Sequence, residues 1–154
     1  ARLDIARGST SYYYRTRRAQ VAAAIAHLTA RSRERFEAVL PGEPPRSAED
    51  AAALIAGQLG VLAGERRRDA LARYALVPDA IADDDLREGL VSCLFSRPAA
   101  EALMRGFGAR DERSAACDLI ALLEGLVFDL VVGGRDPGDL QAPVRRWIAT
   151  LVAT

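Results

Sequence analysis

Apolar positions recur at intervals of three and four along nearly the whole chain, and no stretch alternates convincingly between apolar and polar. That spacing gathers side chains on one face of a helix, whereas a half-buried strand would alternate. The pattern therefore predicts an all-α fold. Arg7 to Tyr14 fits a short helix, and Thr16 then stands where an N-cap belongs. Residues 17–39 form one long helix with Val21, Ala24, Ile25, Leu28, Phe36, Val39 and Leu40 as its apolar side. Pro41-Gly42-Glu43-Pro44-Pro45 ends it, because proline lacks a donor and forces its neighbour into extended backbone.

Ser47-Ala48-Glu49-Asp50 opens the next helix with a capping-box-like pattern. It runs to about Ala63 and buries Leu54, Ile55, Leu59 and Leu62. A further helix spans roughly 65–82, with a kink expected at Pro78. Asp83 to Asp85 place acid at the N-terminus of the segment 84–106, where it complements the helix dipole. That segment is expected to break at Ser96-Arg97-Pro98, with the proline starting a second helix. Residues 112–132 are apolar around most of the circumference, so this helix needs cover on more than one side. Gly133-Gly134-Arg135-Asp136-Pro137-Gly138 stops it. The last helix, about 139–153, carries Leu140, Val144, Trp147, Ile148, Leu151 and Val152, a stripe suited to docking on the body or on another subunit.

The 154 residues suffice for one substantial domain, or one domain with a fragment of another. Half of them are hydrophobic, which suits a packed globule. All 21 basic residues are Arg, with neither Lys nor Asn present, a composition that reflects GC-rich coding and not function. The net charge is zero but unevenly placed. Residues 1–35 hold eight Arg against Asp4 and Glu34, a net of +6, so the remainder carries −6. That segregation favours a nucleic-acid-facing N-terminal end on an acidic body. Cys93 and Cys117, with no partner at metal or redox spacing, read as small buried hydrophobes in a reducing compartment. The most apolar stretch, Leu119 to Val132, is interrupted by Glu124 and Asp129 and is too short to span a bilayer. A cytoplasmic protein is the expectation.

The most informative local run is Gly8-Ser9-Thr10-Ser11-Tyr12-Tyr13-Tyr14-Arg15-Thr16-Arg17. Small hydroxyls, aromatics and closely spaced arginines suit a short helix in a DNA groove, where they reach phosphates and base edges. The same residues also suit a β-edge or a loosely ordered arm. Residues Leu3 to Arg17 resemble the second half of the helix-turn-helix of TetR-type regulators. There a Leu-Gly-Val turn leads into a recognition helix ending Tyr-x-Phe, followed by a capping Ser or Thr and a basic residue. Asp4 stands in place of the turn glycine, Tyr14 in place of the core Phe, and Gln20 in place of a usual Leu. Glu124-Gly125-Leu126 resembles the acidic-Gly-Leu triplet of the family's penultimate helix. The helix expected to pack behind the reading helix would lie upstream of Ala1.

The resemblance implies a TetR-like layout: a partial helix-turn-helix head over 1–16, a connecting helix over 17–40, and a ligand-binding and dimerisation domain over 47–154. It implies that Arg7, Ser9, Thr10, Tyr12 and Tyr13 face DNA, that Arg17 holds a phosphate, and that Tyr14 is buried. It implies a double-stranded DNA operator, a small-molecule effector and a homodimer as partners, with no membrane. Candidate pocket walls are Leu59, Leu62, Tyr74, Val77, Leu94, Met104, Phe107, Leu122 and Phe128, with Gln58 placed to orient a ligand; ordinary core packing is the competing role for each. Candidate dimer residues are Leu126, Leu130, Trp147, Ile148 and Leu151. Glu124, on a largely apolar face, calls for a buried pair with an arginine.

His27 is the single histidine and has no companion ligand or nucleophile. No carboxylate pair and no phosphate loop stands out, so neither an enzyme, a metal site nor a cofactor is expected. The chain reads as a ligand-responsive transcriptional regulator, a repressor released by a small apolar or aromatic molecule. The alternative is a stand-alone helical ligand-binding or dimerisation module without a DNA role.

Overall fold

The Thr16 hydroxyl oxygen accepts from the backbone N–H of Ala19 at 3.1 Å, the N-cap bond its position calls for. It opens helix α1, Arg17–Val39. The computed structural model describes residues 16–39 and 43–152. The short helix expected over Arg7 to Tyr14 lies outside them. Among the described residues the regular elements are all helical. After α1 come α2 (Ala48–Ala63), α3 (Arg67–Ala80), α4 (Asp84–Ser92), α5 (Arg97–Gly106) and α6 (Glu112–Phe128). A π-helical turn (Asp129–Gly133), a 3-10 turn (Pro137–Asp139) and α7 (Gln141–Val152) complete the order.

Side-chain caps set most of the starts. Ser47, Asp83, Ser96 and Asp111 accept from the backbone N–H groups of Asp50, Leu86, Ala99 and Ser114. The segment 84–106 does break, with α4 ending at Ser92 and Pro98 in the first turn of α5. The third helix is shorter than 65–82, because residues 64–66 form a turn in which Arg66 N–H bonds the carbonyl of Val61. The α-ladder of 112–132 also stops early, at Phe128. Its continuation widens into the π turn, closed by Gly134 at φ 80, where the missing Cβ is required.

Two clusters form the interior. In the larger, Leu59 and Leu62 of α2, Met104 of α5, Leu119, Leu123, Leu126 and Val127 of α6, and Val144 and Ile148 of α7 pack together. In the smaller, Val21, Ile25 and Leu28 of α1 meet Ala80, Leu86, Leu90 and Cys93. Gly89 brings α4 close to α1, since a Cβ there would lie 3.1 Å from Ile25 Cγ2. The last helix docks on the body, against α2, with Val144 and Ile148 fully buried. Cys93 is buried as expected, but Cys117 is exposed. It lies on the solvent face of α6, where Arg97 Nη1 approaches its sulfur at 2.7 Å.

Candidate functional site

Ion pairs at its first turn and in its second half fix helix α1 to the helices that follow. At its first turn Arg17 donates to both carboxylate oxygens of Asp79, at 3.1 and 2.5 Å. Arg18 reaches Asp83 at 2.6 Å and Asp85 at 2.9 Å. The hydrogen bonds from Arg17 hold Asp79 below the usual carboxylate range, and those from Arg18 and the Leu86 N–H do the same for Asp83. Four turns further on, Arg31 and Arg66 flank Asp69 at 3.1 and 2.8 Å, and Arg66 also donates to Ser32 Oγ. Arg66 and Asp69 are the buried charged residues of this node. Their i, i+3 spacing at the start of a helix was the available signal.

Of the residues expected at DNA, Arg7, Ser9, Thr10, Tyr12 and Tyr13 lie outside the described residues. Arg17 is mostly exposed and paired with Asp79. Beside this clamp an open groove of about 490 Å³ runs between α1 and α4, floored by Ala22, Ile25, Ala26, Leu86 and Gly89 with Arg18 and Arg33 along it. None of the ten candidate pocket residues lines it.

Those ten are distributed otherwise. Leu59, Leu62 and Met104 sit in the packed core, and Leu94, Phe107 and Leu122 are partly buried against it. Gln58 is half-buried, and Val77 is exposed. Tyr74 and Phe128 are brought together, edge to face, with centroids 5.6 Å apart. Around Tyr74 the structure assembles a polar cluster. Arg73 Nη1 donates to Glu124 Oε2 at 2.7 Å and Arg73 Nε to the carbonyl of Leu90 at 3.0 Å, while the guanidinium lies over the Tyr74 ring. The arginine expected for Glu124 is thus Arg73, which sequence alone could not select. Two atoms of the cluster, Tyr74 Oη and Glu124 Oε1, are buried with no hydrogen-bond partner among the described residues. Burial pushes the Glu124 carboxyl above its ordinary value, against the pull of Arg73, and also raises Tyr74 and the Cys93 thiol.

The residues expected at a dimer contact face different ways. Leu126 and Ile148 are buried in the chain's own core, and Leu130 and Trp147 are partly buried against it. The side chain of Leu151 lies outside the described residues. In its C-terminal half α6 turns Ala121, Gly125 and Phe128 to solvent, and Val132 of the π turn continues that apolar face. Among the described residues no helix is long and apolar enough to cross a membrane, and no group of three or more His, Cys, Asp or Glu gathers as for a metal.

Residues 46–154 match the family model described as "Tetracyclin repressor-like, C-terminal domain". No curated protein and no solved structure matches the chain.

Proposed function

Because the chain belongs to the TetR family through its C-terminal domain, we propose that it is a ligand-responsive, DNA-binding transcriptional regulator. A repressor released by a small apolar or aromatic molecule is the form we favour. The observation that carries this reading is the clamp on α1. The helix that would carry the reading head begins with Arg17 and Arg18, and both are held by acids at the α3–α4 junction of the body. A ligand that shifts α3 or α4 moves the anchor of α1, and so changes the spacing of two heads in a dimer. Such coupling is a difference in ligand affinity between two arrangements, and it is reciprocal with operator affinity.

The dimer we propose uses α6 and α7, two from each protomer, as a four-helix contact. Its centre is the solvent-facing row Ala121, Gly125 and Val132. A closed two-fold pair of heads calls for a near-palindromic operator.

With the helix-turn-helix complete, duplexes selected from a random pool should converge on a near-palindrome whose binding weakens steeply with salt. Apolar aromatics should release it. Failure to enrich any duplex over non-specific DNA would overturn the reading.

A further inference from the structure

The two orphaned atoms beside Arg73 ask for a partner of definite chemistry. Glu124 Oε2 is bonded to Arg73, while Glu124 Oε1 is buried and unpaired. A carboxylate oxygen can only accept, so what it lacks is an N–H or O–H donor. Tyr74 Oη, also buried and unpaired, can donate or accept. Buried polar groups in native proteins are nearly always paired, so two orphans in one cluster mark an incomplete network.

We propose that Tyr74, Val77, Glu124 and Phe128 form the anchoring end of the effector site, and that the effector is a neutral aromatic molecule whose hydrogen-bond donor engages Glu124 Oε1. This rests on the reading of the body as ligand-binding. The helical register supports it: Glu124 and Phe128 are one turn apart on α6, as are Tyr74 and Val77 on α3, and the Tyr74–Phe128 ring contact joins the two faces.

Charge selects a neutral ligand. Arg73 already balances Glu124 at 2.7 Å, so a cation would meet the guanidinium and an anion the carboxylate. The apolar wall comes from Tyr74, Phe128 and the exposed Val77. Phe128 is 51% exposed, so its ring is the wall that can turn aside without unpacking the core. The π turn that follows directly at Asp129 widens the backbone there, a feature that often accompanies functional sites.

The test uses 2-naphthol and 2-methoxynaphthalene, which share a ring system and differ in the donor hydrogen. Calorimetric titration of the chain should show the naphthol binding at least about tenfold more tightly, the scale of one hydrogen bond to a charged acceptor. The paired replacement Arg73→Met with Glu124→Leu should bring that ratio down towards one. The paired replacement leaves no unmatched charge, so the fold is kept. Tyr74→Phe removes an unpaired hydroxyl, so the ligand-free variant should melt no lower than the parent, which a purely structural tyrosine would not allow. Equal affinities in the parent, binding of neither probe, or a preference surviving the paired replacement would overturn the proposal. Operator release is scored separately. A donor preference without any effect on operator binding sinks the regulatory reading and leaves the site, whereas release by ligands without the preference does the reverse.

Discussion

The Arg73 guanidinium on α3 holds the Glu124 carboxylate on α6 at 2.7 Å, with only 11% and 23% of the two side chains exposed. The pair ties α3 to α6 beside the Tyr74–Phe128 ring contact. Removing one partner leaves the other charge stranded, whereas removing both does not. Glu124→Ala should therefore destabilise the chain by roughly 3 kcal/mol, the lower end of the range for breaking a buried pair. The combined Arg73→Met and Glu124→Leu replacement should recover most of that loss. Denaturant unfolding of the three proteins measures it, and a double variant as weak as Glu124→Ala would contradict the argument.

Two glutamates should titrate on opposite sides of the ordinary value of 4.5. Glu124 is raised, mainly by burial. Its charge is therefore a burden on the folded state above its folded pKa, relieved as pH falls through that value towards 4.5. Glu112 is lowered, mainly by hydrogen bonds from Arg105. Its stabilisation is present above 4.5 and lost as pH falls through its folded pKa. Carboxyl carbon shifts followed by NMR should give the two midpoints in that order.

Asp79 competes with DNA for Arg17 under the phosphate role proposed for that arginine. In Asp79→Ala, with the helix-turn-helix complete, non-specific duplex affinity should rise and the salt slope should steepen by about one, the contribution of one added phosphate contact. Anisotropy titrations across a salt series give both numbers. An unchanged slope means that Arg17 does not reach a phosphate.

Gly125 faces solvent on α6, and a Cβ there meets nothing from the other described elements within 4 Å. Gly125→Arg should therefore keep a helical circular-dichroism signature yet yield monomer mass by light scattering. Leu126→Arg, one residue on, points into the core and should unfold the chain. A Gly125→Arg protein of unchanged dimer mass rules out the α6 contact.

The two thiols should separate cleanly. Cys117 is exposed, whereas Cys93 is buried and its thiol is raised by that burial. Ellman's reagent at neutral pH should label one equivalent quickly and the second only on denaturation. Cys117→Ser should abolish the fast phase; its survival would put the reactive thiol at Cys93.

The sequence by itself determined what is local. Helical periodicity, Thr16 and Ser47 as caps, and the break at Ser96-Arg97-Pro98 are short-range effects, governed by residues within four positions of one another, and they are found where the pattern put them. That Glu124 needs an arginine also followed from its apolar surroundings. Which arginine could not, because the chain has 21 of them and choosing Arg73 requires knowing that α3 lies against α6. The same limit explains Leu126 and Phe128. On a helix apolar all round, sequence assigns no face to the core, and only the packing of α2, α5 and α7 turned Leu126 inward and left Phe128 outside. The bond from Arg31 to Asp69 spans 38 positions and that from Arg17 to Asp79 spans 62. Contacts at that range depend on where whole helices settle once their apolar faces are buried, and tertiary structure alone decided them.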